Sequence, residues 1–228
     1  MEHLIDYIVK GGWVMYPLLF CSVLALAVSL YKIFEFKKLK LHDTRCADIA
    51  LELLSRELVR RSGDEGEYEL VINNLKLTNS PLSAIMEATI GLCAKKNSEE
   101  KLSFQDIELE IDRIGGNIID NLSRGLRTLV VIIAISPLLG LLGTVLGMID
   151  IFQVIESSSN QINPSLMGGG IWKALLTTAF GLIIAIPYTA VYHYLDSEIE
   201  KVKLLMKNYV VKIIVAFKSC ETLSRPSC

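Results

Sequence analysis

Three stretches of this 228-residue chain contain no Asp, Glu, Lys or Arg: 11–31, 128–149 and 174–195. They run 21, 22 and 22 residues, matching the roughly 20 apolar residues an α-helix needs to cross a bilayer. Charge is scarce overall, at 21% of residues, where an ordinary soluble domain carries about 25%. With 51% of residues hydrophobic, the pattern excludes a soluble enzyme, a disordered chain and a secreted disulfide scaffold. A net charge of -2 gives no reason to expect nucleic acid as a partner. The five cysteines are odd in number and fit no metal-ligand spacing, so they read as reduced and incidental, with no metal site. No acidic residue lies inside any of the three windows, whereas pumps and transporters usually carry one. There is no inverted repeat of the kind secondary transporters use, so a transporter working alone is disfavoured. No large soluble catalytic core remains, and the chain is not expected to be an enzyme.

Basic residues resist translocation and so set orientation. Of the 23 Lys and Arg residues, 15 fall between Lys32 and Arg127 and six more after Tyr194, while Val130 through Trp172 contains none. The windows and this bias predict an all-α, three-span membrane protein with its N-terminus outside. Its segments are an outer N-terminus 1–12, a first span 13–34, a cytoplasmic helical loop 35–125 and a second span 126–154. An outer loop 155–168, a third span 169–195 and a cytoplasmic amphipathic tail helix 196–228 complete it. The first window is read as an anchor and not a cleaved leader, because Lys32, Lys37, Lys38 and Lys40 follow the apolar run instead of preceding it.

Outside the windows the pattern is helical. Ile49, Leu53, Leu54 and Leu58 sit at helical spacing in 42–62, and GDEGEYE (63–69) reads as an acidic turn. Asn79-Ser80-Pro81 reads as a helix start for the segment up to Lys96. Ile107, Ile111, Ile114, Ile118, Leu122 and Leu126 recur every three or four positions, which predicts one long helix over roughly 103–154 running from the cytoplasm into the second span. Gly115-Gly116 would weaken it locally, by about 1 kcal/mol per Gly relative to Ala. After the third span, Ile199, Val202, Met206, Tyr209, Ile213 and Phe217 form the stripe of a half-buried helix, expected to pack against 103–127. Long helices 2 and 3 thus extend into the cytoplasm.

Small and polar residues concentrate on the second and third spans. Gly140, Gly143 and Gly147 share one helix face, and a face of small residues lets another helix approach closely. Thr144 lies at the edge of that face, and Thr177 and Thr178 lie about two turns into the third span. A threonine in a membrane helix commonly bonds a carbonyl of its own helix one turn back. Three beside a glycine face also suit a polar strip at a helix interface, and spacing leaves both readings open. Pro187 frees a carbonyl in the third span, to be satisfied by neighbouring hydroxyls or water. His193 reads as an interface residue at the cytoplasmic end.

The run Arg124-Gly125-Leu126, then SPLLGLLGTVLGMI from Ser136 and GIWKALLTTAFGLIIAIP from Gly170, resembles the MotA/TolQ/ExbB proton-channel family, over about 124–195 in detail. Three spans favour the ExbB/TolQ branch. The resemblance implies a subunit of an ion-driven motor in a bacterial inner membrane, with the outer segments in the periplasm. Family members form a ring, generally a pentamer, around single-span partners of the ExbD/TolR type. The partner brings the membrane aspartate and passes force to a TonB- or TolA-like protein. By the same resemblance Thr144 and Thr178 would line the ion path, with no cofactor and H+ as the transported ion.

Two positions depart from the family pattern. Lys173 stands where many relatives carry Glu, and is read either as a lysine snorkelling to the interface or as a partner for another chain's carboxylate. Thr177 stands where some proton-driven members carry Ala, and an additional hydroxyl there would suit Na+. The competing reading of a different class is a non-conducting scaffold whose cytoplasmic helices recruit partners.

Overall fold

Helices form wherever the apolar periodicity runs, and caps or glycine end them. The computed structural model describes residues 12–39, 44–60, 72, 75, 80–98, 103–157 and 164–224, and among these there is no strand. We label the helices α1 (Met15–Lys38), α2 (Arg45–Arg60), α3 (Pro81–Ser98), α4 (Phe104–Ser123), α5 (Leu126–Ser157) and α6 (Pro164–Ser224). Three stretches are long and apolar enough to cross a membrane: Met15–Lys38, Leu126–Glu156 and Met167–Cys220. The chain is therefore all-helical and multi-pass. The acidic turn expected at 63–69, most of the N-terminal segment and much of the loop 155–168 lie outside the described residues, as does the end of the tail.

The chain divides into two units, Met1–Ile33 with Arg124–Asp196, and Phe34–Ser123 with Ser197–Cys228. In the first, Met15 and Leu18 of α1, with Val14 in the turn before it, pack against Ile184, with Leu139, Leu146, Phe180 and Tyr188 around them. A second cluster joins Ala25 of α1 to Leu129 and Ile132 of α5, flanked by Cys21, Ile133, Tyr188 and Tyr192. The remaining surface of α1 is strongly apolar yet exposed, with Phe20, Leu26 and Leu30 all outward. That arrangement suits a helix whose solvent is hydrocarbon, where backbone groups must be satisfied within the helix and side chains need no shelter.

The expectation of one helix over 103–154 is corrected by the structure. α4 ends at Ser123 and α5 begins at Leu126, because Gly125 adopts φ +84°. A left-handed residue cannot continue a right-handed helix, and glycine is the residue that adopts it without a Cβ clash. Its carbonyl then accepts the Leu129 N–H at 3.1 Å to start α5. The buried Lys32 of α1 lies alongside, its Cε 3.2 Å from where a Gly125 Cβ would stand. Gly115 and Gly116, the residues expected to weaken the helix, stay within it.

In the second unit, α3 packs against α2 and α4. α3 starts as the Ser80-Pro81 signal predicts. Leu82 N–H donates to Ser80 Oγ at 3.3 Å and Ser80 N–H to Ser83 Oγ at 3.3 Å. Ser103 caps α4 by the same logic, accepting Gln105 N–H at 3.3 Å and donating its own N–H to Asp106 Oδ2 at 3.2 Å. All six stripe residues of α6, Ile199 through Phe217, are buried. The far end of α6 meets α4, where Lys218 Nζ pairs with Glu108 Oε1 at 3.2 Å and lies 4.9 Å from the Phe104 ring centroid. α2 differs in detail from the periodicity reading. It turns Ala47, Ala50 and Leu54 inward and leaves Ile49 58% exposed. Alanines at this spacing allow close approach, and Asp48 accepts a hydrogen bond from buried Tyr209 on α6.

Candidate functional site: the seam of the second and third spans

The glycines of α5 are where α6 comes nearest. A Cβ on Gly140 would stand 2.9 Å from Thr178 Cα and 3.0 Å from Thr177 O. On Gly143 it would stand 2.7 Å from Thr177 Cβ, and on Gly147 2.9 Å from Ala174 Cβ. These approaches leave no room for a Cβ, so the small-residue face is a tight seam in which Gly140 meets the α6 backbone while Gly143 and Gly147 meet the Thr177 and Ala174 side chains. The third span contributes its own small stripe. A Cβ on Gly181 would lie 2.6 Å from Ser136 O, and one on Gly170 2.7 Å from Ile151 Cδ1. Gly170, Ala174, Thr177 and Gly181 recur at three- and four-residue spacing, the same signal read on α5, so this second half of the seam was open to the same reasoning. Ser136, fully buried with its hydroxyl on Ile132 O at 2.7 Å, also belongs to it.

The threonines divide between the seam and its edge. Thr177 is 1% exposed, and its hydroxyl reaches Ala174 O at 2.7 Å and Gly140 O at 3.2 Å. Thr178 is half-buried and donates across the seam to Gly140 O at 3.0 Å. Thr144 is half-buried and donates to Leu141 O of its own helix at 2.7 Å. Both alternatives left open by spacing therefore occur: Thr144 bonds one turn back, and Thr177 and Thr178 cross-link the spans. Gly140 O is the shared point, since the α-helical ladder also assigns it the N–H of Thr144.

α1 covers one side of this helix pair through Leu139 and Leu146 of α5 and Phe180 and Ile184 of α6. At about 100° per residue, Thr144 and Thr178 stand roughly 120–160° around their helices from those positions. Both therefore lie on the side turned away from the α1 contacts, Thr178 on Gly140 O and Thr144 on Leu141 O. Thr177 points into the seam instead, which places it away from that side.

The remaining sequence candidates lie elsewhere. Pro187 is exposed within the unbroken α6 and takes no part in the seam. Lys173 is exposed near the start of α6, its Cε 3.0 Å and Nζ 3.2 Å from where a Cβ of Gly12 would stand, against the turn that leads into α1. His193 is exposed and makes an edge contact with the Tyr192 ring at 5.3 Å. Among the described residues no group of His, Cys, Asp and Glu could hold a metal ion, and Cys21, Cys93 and Cys220 form no disulfide.

Known proteins share this arrangement of sequence. An ExbB homolog of Methanothermobacter thermautotrophicus is 27% identical over 202 residues, covering 87% of this chain and 66% of its own length. The biopolymer transport protein ExbB-like 3 of Synechocystis is 31% identical over 180 residues, 77% of each chain. The biopolymer transport protein ExbB of Salmonella typhimurium is 28% identical over 214 residues, 92% of this chain and 82% of its own. A family model matches residues 77–208, which include α4, α5 and all of the seam, and by that match the chain belongs to the MotA/TolQ/ExbB proton channel family.

Proposed function

We propose that this chain is the ring-forming subunit of an ExbB/ExbD- or TolQ/TolR-like motor, converting proton motive force into work on a TonB- or TolA-like envelope system. The observation that carries the reading is the pair of half-buried hydroxyls, Thr144 on Leu141 O and Thr178 on Gly140 O, on the side of the helix pair turned away from its contacts with α1. In a ring of copies, that side is the one available to a central helix. None of the three charge-free windows offers a carboxylate, so the titrating acid comes from the partner, a single-span protein with an aspartate at membrane depth. The copies, generally five in such rings, supply the wall. The partner supplies the proton carrier, and the inner membrane supplies the gradient.

The test is reconstitution of the ring with its co-purified partner in proteoliposomes, followed by ion flux with and without sodium at fixed pH. Proton flux independent of sodium, lost in Thr144→Ala and Thr178→Ala while the ring still assembles, supports the reading. Full flux in both variants, or a preparation that never retains a single-span subunit, refutes it. Flux that requires sodium would move the motor to the sodium-driven class.

A further inference from the structure

Beyond Asp196, α6 is apolar on two opposite sides. At about 100° per residue, Leu204, Val211 and Val215 fall within about 20° of one line, and the buried stripe from Ile199 to Phe217 lies about 140–180° around the helix from it. Leu204, Val211 and Val215 are each at least half exposed. The exposed Lys201, Lys203, Lys207 and Lys212 border them, and residues 201–218 hold five lysines and no acidic residue. One apolar side serves the core of its own unit, and the other has no cover within the chain. α4 presents the opposite charge. Its buried Ile107, Ile111 and Leu122 lie about 140–160° from Leu109, which is 70% exposed. Around Leu109 stand the exposed Asp106, Asp112 and Asp120. The one basic residue of α4, Arg113, is bound to Glu110 of the same helix at 2.6 Å.

Each of these faces is the reverse side of a helix whose other side is buried in the same unit, so the two cannot meet within one chain. Complementary faces pointing apart on one chain make a heterologous contact, the kind that closes into a ring when repeated around an axis. Resting on the reading of this chain as a ring subunit, we propose that the Leu204, Val211 and Val215 face of α6 docks on the Leu109 face of α4 in the next copy, outside the spans. Charge fixes the order: lysines meet aspartates head to tail, whereas two α6 faces or two α4 faces would set like charges together. Height agrees as well. Lys218 pairs with Glu108 at 3.2 Å, which ties the two helices together at one level in each copy. Val215 is three residues from Lys218 and Leu109 one from Glu108, about 4.5 and 1.5 Å at the helical rise. Copies of a ring share one height, so Val215 of one copy comes level with Leu109 of the next to within about 6 Å.

The experiment places Leu109→Cys and Val215→Cys in two differently tagged copies of the full chain, co-expressed, and oxidises the membranes with copper phenanthroline. Both positions are exposed, so the variants keep the fold. A mixed-tag disulfide dimer is expected from this pair, whose Cα atoms come within disulfide reach, and from neither variant alone nor from the native cysteines. Adding Lys203→Glu/Lys207→Glu lowers its yield roughly tenfold, the worth of two exposed ion pairs and the repulsion that replaces them. Asp112→Lys/Asp120→Lys on the facing helix then restores it. A Val215→Cys chain that links to its own kind overturns the proposal, because the contact would be isologous. So does a yield that charge reversal leaves unchanged, or an intact ring by native mass with no mixed-tag dimer, a result that leaves the motor reading standing. A dimer from a ring that conducts no ion keeps this contact and refutes the motor reading, and a chain monomeric in the membrane refutes both.

Discussion

Replacing Gly140 with alanine tests the seam most directly. The new methyl would stand 2.9 Å from Thr178 Cα and 3.0 Å from Thr177 O, and neither backbone atom can swing aside as a side-chain tip could. To reach ordinary contact the two spans must part by about 0.5–1 Å, a strain of the kind that costs about 1–3 kcal/mol in packed interiors. The same movement carries the Thr177 and Thr178 hydroxyls, at 3.2 and 3.0 Å from Gly140 O, out of bonding range. Interhelical bonds in membranes average about 0.6 kcal/mol each. Removing a glycine from a helix returns about 1 kcal/mol, leaving a net loss of about 1–3 kcal/mol. For a chain of this size that lowers the melting temperature by roughly 3–10 °C. The assay is thermal loss of helical circular dichroism in detergent, with Gly116→Ala as control. Gly116 has nothing within 4 Å of its missing Cβ, so that variant should melt with or slightly above wild type. A Gly140→Ala protein as stable as the control would refute the reasoning, because the seam would then have room that the backbone distances deny it.

Three further outcomes are expected. Gly125→Ala forces a Cβ into φ +84° and should cost about 1–2 kcal/mol in the same melts, with Gly125→Asn milder because asparagine tolerates that region; equal losses for Ala and Asn would argue against backbone strain as the cause. Burial pushes the Cys93 thiol up to about 11 from an ordinary 9.0, although Lys96 and Lys218 pull it down. The folded protein should therefore leave Cys93 unalkylated by iodoacetamide at neutral pH and react there only on unfolding. Because the folded state holds this proton more tightly, the thiol's contribution to stability is complete below pH about 9 and is lost as pH rises toward 11, which melts across that range would register. Phe104→Leu removes a ring that sits 3.8 Å from Lys96 Nζ and 4.9 Å from Lys218 Nζ. At about 0.5–1 kcal/mol for each cation on a ring near the surface, amide exchange in α3 and α4 should quicken several-fold, and unchanged exchange would show that the two lysines contribute nothing there.

The spans, the glycine face and the α6 stripe were legible in the sequence because each rests on one solvent preference repeated at one period. Charge is excluded from hydrocarbon, so three charge-free windows mark three helices. Apolar residues at 199, 202, 206, 209, 213 and 217 share one side of a 3.6-residue turn, and all six are buried. The break at Gly125 was harder to see. Its signal, a single glycine between two strongly periodic stretches, is weaker than the Gly115-Gly116 pair that stays helical, and only the φ of one residue separates the two cases. The inward face of α2 also escaped periodicity, since hydropathy ranks Ile49 above Ala47 and Ala50 while close helix approach ranks them the other way.

For the site, the sequence alone determined which residues are polar or small within an apolar segment, and so which could matter: Gly140, Gly143, Gly147, Thr144, Thr177 and Thr178. Spacing could not say where each hydroxyl sends its proton, because a threonine can bond its own helix or a neighbour at similar cost. Only the tertiary structure decided that Thr177 is spent in the seam and that Thr178 crosses to Gly140 O. It also decided that Thr144 turns back on its own helix. The deciding quantity is the distance between two backbones, set by glycines on one helix meeting small residues on the other, and no single segment of sequence contains it.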